Sequence, residues 1–283
     1  MMQPFSVLPA ALLTSAFVAA CSMFPPRVEV KEDFSFNKPV AGHSVLTLAN
    51  VNGTVTVTGV DGLTDVEIRG VRIVGGSSHD DASAHLADLK VDVSESGETI
   101  VVKTEQPSVG LRNSYTVNYD IRVPKNWQVK AENVNGDVTI ASITRDVNTS
   151  VTNGDITLNG VAGILKAEST NGSIAGDATI PENGSCAVET TNGSVTLRMM
   201  LGRGAETRME TTNGSIDLEV PKGTSASVKA ETGTGSIGVH DLGLASAGRD
   251  ESGVGATLKG SLGDAKGSLV LQTTNGSIDL RGY

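Results

Sequence analysis

Seven Asn-Gly pairs recur along this chain in one setting, close to Thr-Asn-Gly-Ser-Ile-x-Leu, and this repetition constrains the fold more than any other feature. Their asparagines are Asn52, Asn135, Asn153, Asn171, Asn192, Asn213 and Asn275, with Thr234-Gly235 in the place of an eighth. From Asn135 to Thr234 the intervals are 18, 18, 21, 21 and 21 residues. Such a near-constant period marks an array whose units cannot bury a core alone and must stack on one another.

Aligning the copies on the asparagine exposes the alternation. Three residues beyond it stand Val55, Val138, Ile156, Ile174, Val195, Ile216, Ile237 and Ile278, all β-branched and aliphatic. Five residues beyond, the position is again aliphatic in every copy except at Gly176. Between the two lie Thr56, Thr139, Thr157, Ala175, Thr196, Asp217, Gly238 and Asp279. This is inward-outward-inward patterning kept in phase from copy to copy. Asn and Gly tolerate left-handed backbone, so each pair marks a sharp bend, a structural corner. Two architectures follow. Asn-Gly between alternating residues is a strong hairpin signal and would build an antiparallel meander. A solenoid would use the bend as a corner and stack identical residues about 4.8 Å apart. The constant phase, and Thr190, Thr211, Thr232 and Thr273 two residues before the corner as a polar ladder, favour stacking. The expected fold is all-β, a parallel β-solenoid with one short helix in its N-terminal section.

The pattern divides the chain. Residues 1–20 carry an uncharged apolar run, too short for the roughly 20 residues of a membrane span, and end in Val18-Ala19-Ala20-Cys21. Small residues before a cysteine match a bacterial lipobox, so 1–20 reads as a lipoprotein signal peptide and Cys21 as the lipidated residue. Residues 21–33, with Pro25-Pro26, read as a tether. Residues 34–126 form an irregular β section whose helix candidate runs from Asp80 to Leu89, with Asp80 or Asp81 as N-cap. Residues 127–283 form the repeat solenoid. Pro124, Pro181 and Pro221 mark further turns, each at the second turn position. The stretch 242–267 holds no clean copy and reads as an inserted loop.

Composition removes several functions. The net charge is −10 and no basic cluster offsets it, which argues against a nucleic-acid partner. With Cys21 lipidated, Cys186 has no partner within the chain and reads as a small buried hydrophobe. Glu132, Glu168, Glu189, Glu210 and Glu231 lie three residues before the corner, and Lys130, Lys166, Arg208 and Lys229 stand two residues earlier still. The mixed column reads as a self-neutralised outer face rather than a cation site. Asp137 and Asp155 follow Asn-Gly as in calcium-binding repeats, but those require a nine-residue period. The four histidines are far apart and no catalytic motif is present, so neither metal, cofactor nor catalytic residue is expected.

The series Val51-Asn52-Gly53, Tyr119-Asp120-Ile121-Arg122-Val123-Pro124, Val134-Asn135-Gly136-Asp137-Val138 and Thr274-Asn275-Gly276-Ser277-Ile278 resembles the putative-adhesin β-strand-repeat family of bacterial envelope proteins, over about residues 34–283. The resemblance implies a β-helical fold in the cell envelope and carries no catalytic residues. The expected function is therefore a non-catalytic scaffold or adhesin-like binding module. It would be anchored through Cys21 to a membrane, the outer membrane by preference, and contact an envelope or extracellular protein. Tyr115, Tyr119, Trp127, Arg112 and Arg122, or Arg249, Asp250 and Glu251 in the loop, are the expected contacts. A β-helical enzyme acting on envelope polysaccharide, with its site in the irregular parts, is the alternative.

Overall fold

Apolar side chains at fixed phase make every copy a pair of strands with one oily face, and stacking is how those faces are closed in the computed structural model. The structure describes residues 28–107, 113–250 and 254–283. Each coil runs one strand up to its corner asparagine and starts a second strand three residues beyond. The first kind belongs to a 12-stranded sheet, the leading sheet, and the second to an 11-stranded sheet, the trailing sheet. Val147–Asn153 pairs in parallel with Gln128–Asn135 on one side and Leu165–Asn171 on the other, asparagine on asparagine. Beyond the corner, Ile156 pairs with Val138 and Ile174. None of the corner Asn-Gly pairs closes a hairpin, so the meander is excluded and the fold is a parallel β-solenoid.

The core is a set of columns between the sheets. Leu46, Val129, Val147, Leu165 and Cys186 point inward from the leading sheet, and Val138, Ile156, Ile174, Val195 and Ile216 from the trailing sheet, all buried. Full burial of one such aliphatic side chain contributes about 1.5–3 kcal/mol. Gly176, the one break in the aliphatic pattern, has a physical reason. A Cβ there would lie 1.8 Å from the carbonyl oxygen of Leu158, and the pairing of these two strands shifts register between Leu158 and Val161.

The spatial order of coils departs from the order along the chain. The last coil, 267–282, is inserted between the coils 206–220 and 226–240: Thr273 pairs with Thr211 on one side and Thr232 on the other, and Ile278 with Ile216 and Ile237. The same happens at the opposite end, where 45–60 lies between 99–124 and 128–141. The first and last parallel coils are thus interior rungs. Three of the four outer flanks are then covered by antiparallel strands, which moves the sheet edges off the repeat coils, while Ile237–His240 ends the trailing sheet. Lys90–Ser96 lies on Thr99–Glu105, Asp65–Gly76 on Ser114–Pro124, and Ala256–Leu262 on Ala226–Thr234. The strap 263–266 that carries the chain across the start of Ala226–Thr234 is pinned there. Asp264 accepts from the Ser225 hydroxyl and pairs with Arg203 at 2.5 Å.

Several sequence expectations change. Residues 242–267 are not a loop: Ala245–Asp250 and Ala256–Leu262 form an antiparallel pair on the end of the leading sheet. Residues 28–33, assigned to the tether, belong to the strand Val28–Pro39, paired with Asp65–Gly76. The helix spans His79–His85, followed by a 3-10 turn at Leu86–Asp88; Asp80 and Asp81 lie in its first turn, and the N-cap is Ser78, whose hydroxyl accepts from the Asp81 amide at 3.1 Å while Asp81 accepts from the Ser77 amide at 2.8 Å. The three prolines occupy the first turn position, each carbonyl accepting from the amide three residues on: Trp127, Gly184 and Thr224. Cys21 and the signal segment lie outside the described residues.

The column assignment sets up a direct contrast. Ile216→Asp places an unpartnered charge in a fully buried column and should cost several kcal/mol, about the penalty of burying a polar group without a partner or more. Thr196→Asp is exposed and meets only Asp217 on the next rung, a repulsion of about 1 kcal/mol in water. Urea denaturation of both variants should show a large midpoint drop for the first and little change for the second; equal drops would refute the phase.

Candidate functional site

At the corner three hydrogen-bond ladders run side by side along the solenoid. The outermost is the asparagine carboxamides. Asn135 Nδ2 donates to Asn52 Oδ1 at 2.7 Å, and Asn153, Asn171, Asn192, Asn213 and Asn275 repeat the bond rung by rung at 2.8–2.9 Å. At one end Asn52 donates to the Tyr115 carbonyl at 3.0 Å, and at the other Thr234, with no amide, occupies the rung beyond Asn275. Aligned amides polarise one another, so such a row is stronger than isolated bonds.

Behind it, Thr190, Thr211 and Thr273 each donate to the corner glycine carbonyl of the preceding rung at 2.8 Å, and Thr232 does so to Gly276 at 2.7 Å. Where Val151 interrupts this column, Asn133 compensates. Its Nδ2 reaches both Gly53 O at 2.8 Å and Gly136 O at 2.7 Å, the oxygen a hydroxyl at position 151 would have served. The third ladder follows the glycine. Asp155 N donates to Asp137 Oδ1 at 2.9 Å and Ser173 N to Asp155 Oδ1 at 2.7 Å, so these aspartates hold the next rung's backbone.

The structure also changes the reason for the pair itself. Among the described residues, the non-glycines with positive φ are Ser142, Asn183, Asp241 and Ala265, so the corner asparagines are there for their amides. The glycines are required by close approach. A Cβ on Gly172, Gly193 or Gly214 would lie 1.9–2.1 Å from the glycine carbonyl oxygen of the preceding rung, although Gly193 has no left-handed backbone.

Outward from the leading sheet, glutamates stack in the order Glu132, Ser150, Glu168, Glu189, Glu210, Gln272, Glu231. Lys130–Glu132 and Lys166–Glu168 pair at 2.8 Å, Lys229–Glu231 at 3.1 Å, and Arg208 holds Glu210. The inserted coil places neutral Gln272 between Glu210 and Glu231, where its Nε2 meets Glu231 at 3.4 Å. Beside this column runs a row of exposed threonines, Thr152, Thr170, Thr191, Thr212 and Thr274, that the sequence reading did not single out. Glu189, Glu210, Gln272 and Glu231 of the one column, Thr212 and Thr274 of the other, and Asp250 bound an open cleft of about 510 Å³. The hydrogen bond and charge of Lys229 hold the Glu231 carboxyl below its usual range, opposite in sense to what a general acid needs. Among the described residues no group of three His, Cys, Asp or Glu could hold a metal ion.

The trailing sheet carries a second hollow, about 480 Å³, floored by Ala175 and Gly176 and walled by Thr196, Arg198, Asp217, Glu219 and Arg281. Arg198 lies 3.8 Å over the ring of Tyr283, itself 40% exposed. Arg198 stands 4.0 Å from Glu219, and Arg281 stands 3.8 Å from both Asp217 and Asp279. This cluster was missed because Arg198 and Tyr283 are 85 positions apart in sequence and meet only through the coil inserted out of order.

The aromatic contacts expected in the first section are not available on the surface. Tyr115, Tyr119 and Trp127 are buried and close the core. Tyr119 OH lies 2.7 Å from Thr104 Oγ1, which donates to Asn50 Oδ1 at 2.8 Å, and burial pushes the phenol up to about 12. Arg122 pairs with Glu67 at 3.3 Å. Arg112 and Glu251 lie outside the described residues, and Asp250 borders the acidic cleft. Cys186 is buried in the core, and desolvation pushes its thiol up to about 12, which leaves it inert.

A family model for a domain of unknown function, Toastrack DUF4097, matches residues 46–281. The chain belongs to the Toastrack family. The match spans the parallel coils and the excursions at both ends. No curated protein matches this Toastrack chain. Among solved structures it is similar to a putative cell adhesion protein from Clostridium sporogenes, 13% identical over 90% of this chain and 100% of the other, with a TM-score of 0.34. It is also similar to a putative adhesin from Bacteroides fragilis, 14% identical over 88% and 97%, with a TM-score of 0.43. At such scores these likenesses add no argument to the family match.

The corner geometry yields a paired test. Gly193→Ala should destabilise the chain by about 1–3 kcal/mol, the usual cost of forcing extra volume into a packed site. Gly243→Ala, with nothing within 4 Å of the added carbon, should change stability little. Thermal melts of the two proteins measure the difference, and equal shifts would show that close approach does not select the corner glycine.

Proposed function

We propose that this Toastrack chain is a lipid-anchored scaffold of the bacterial cell envelope, tethered through Cys21, whose solenoid holds a non-catalytic binding surface away from the membrane. The observation that carries the reading is the Arg198–Tyr283–Arg281 cluster around the hollow at Gly176. Arg and Tyr dominate contact energies at protein interfaces, and this cluster sets Arg198 and Arg281 on strands around a concave floor, with Tyr283 just past the strand Ile278–Gly282 and under Arg198. Its ion pairs are long, 3.8–4.0 Å, and their arginines are exposed, so they contribute little and exchange readily for a partner's groups. Two or three acyl chains on a lipidated cysteine anchor stably, whereas one is marginal. Among the described residues no helix is long and apolar enough to cross a membrane.

Support for a non-catalytic role comes from how the carboxylates are used. Glu132, Glu168, Glu210 and Glu231 are matched to a cation on their own strand. The polysaccharide-enzyme reading sets its site in the irregular parts; of these, 242–267 reaches the acidic cleft through Asp250, Gly255, Ala256 and Thr257, and the carboxylates of Glu189 and Glu210 come from the regular coils.

Two outcomes are expected. Cys21→Ser should move the protein from the detergent to the aqueous phase on partitioning, and unchanged partition would remove the anchor. Immobilised protein should lose its captured envelope partner on Arg198→Ala with Tyr283→Ala, and keep it on Arg122→Ala. Retention through the first change, together with release of reducing sugar ends that Glu210→Gln abolishes, would favour the enzyme instead.

A further inference from the structure

The ladder has a chemical consequence beyond stability. Asn-Gly is the dipeptide most prone to spontaneous deamidation, because glycine has no side chain to shield its amide nitrogen. That nitrogen loses its proton and attacks Cγ of the asparagine. An N–C bond forms, the C–NH2 bond breaks, and ammonia leaves with the transferred proton. The resulting succinimide takes up water at either carbonyl, giving aspartate or isoaspartate. Water is the only co-reactant.

Both reacting groups are held at the seven ladder sites. Each corner glycine amide donates to a corner carbonyl on the next rung: Gly53 to Asn135 and Gly136 to Asn153 at 2.8 Å, Gly154 to Asn171, Gly172 to Asn192, Gly214 to Asn275 and Gly276 to Thr234 at 2.9 Å, and Gly193 to Asn213 at 3.0 Å. Each carboxamide is fixed by its own donated bond, six of them to the asparagine of the preceding rung and that of Asn52 to Tyr115 O. Attack would require breaking bonds to the rungs on both sides at once. Two more Asn-Gly pairs lie outside the ladder, Asn159-Gly160 and Asn183-Gly184. There the restraint is exposed and draws on no carboxamide row. Gly160 N donates to the exposed Asp177 side chain of the next rung at 2.9 Å, and Gly184 N to the Pro181 carbonyl of its own turn at 3.0 Å. Asn183 is exposed, with φ +54°.

We propose that Asn159 and Asn183 are the deamidation sites of the native protein, and that the carboxamide ladder suppresses succinimide formation at the other seven pairs. A chain that uses Asn-Gly at seven of its eight stacked corners thereby escapes chemical ageing at those seven. The loss at any ladder site would be severe, since a carboxylate cannot donate to the next amide and isoaspartate lengthens the backbone.

The test follows full-length protein at mildly alkaline pH, native and in urea, with peptide mapping to read aspartate and isoaspartate at all nine positions. In urea the nine sites should convert at comparable rates. In the native state Asn159 and Asn183 should convert while the seven ladder sites run at least about tenfold slower, as rates limited by local opening do. Ladder sites converting natively as fast as in urea would overturn the proposal, as would equal protection of Asn159 and Asn183. Asn171→Ala, checked for a retained melting transition, should accelerate conversion at its ladder neighbours Asn153 and Asn192 and leave Asn52 and Asn275 unchanged. A uniform rise at every site would show general loosening instead and contradict ladder protection; should the variant not fold, the native and urea rates of the unaltered chain decide alone.

Discussion

Everything in this structure depends on identical backbone corners lying directly on top of one another. Parallel strands in register repeat about every 4.8 Å, and at that spacing the carbonyl of one corner glycine occupies the space a side chain on the next would need. Glycine is therefore obligatory at the corner, and it leaves a buried carbonyl that must be satisfied. The threonine column supplies the donor, and the asparagine row closes the outside of the turn. Removing any one of the three leaves a polar group stranded or two backbones in collision. The recurrence of all three in one short motif follows from this mutual dependence.

The insertion of the first and last coils is the second structural device. A solenoid stacked in chain order would have a terminal strand at each end with one open flank. Placing the terminal coils inside, and using longer internal excursions as the outer rungs, lets antiparallel strands cover three of the four flanks and leaves Ile237–His240 at the edge of the trailing sheet. The insertion also tunes the surface. Gln272 separates Glu210 from Glu231, and Arg281 comes to lie between Asp217 and Asp279. Thr234 fits its place at the end of the row, where an asparagine would offer an amide with no rung beyond to take up its oxygen.

The alternating columns were legible because period-two patterning repeated in phase has few other solutions, and Ile216 and Thr196 were placed on opposite faces from sequence alone. The coil order was not legible. Thr273–Leu280 repeats Thr211–Leu218 residue for residue, but 226–240 keeps the same inward-outward phase and lies next in the chain, so the phase on which the reading rested cannot choose between them. The choice lies in long-range features such as the strap over Ser225. Residues 242–267 looked like a loop because antiparallel strands outside the array carry no repeat. The surface cluster at Arg198 was hidden for the same reason as the coil order, since Tyr283 reaches it only after the insertion. Tyr115 and Tyr119 alternate with polar residues as core positions do, and the burial that follows from that pattern outweighs their value as exposed anchors.

Disulfide trapping tests the stacked, inserted arrangement most directly. With Cys21 and Cys186 replaced, Thr212→Cys combined with Thr274→Cys places two thiols on adjacent rungs, within the Cα separation of about 4.4–6.8 Å that a disulfide spans. Thr212→Cys combined with Gly233→Cys places them two rungs apart, beyond it. Mild oxidation should cross-link the first pair rapidly and leave the second open. Rapid cross-linking of 212 with 233, and none of 212 with 274, would mean that the coils stack in chain order and would contradict the account.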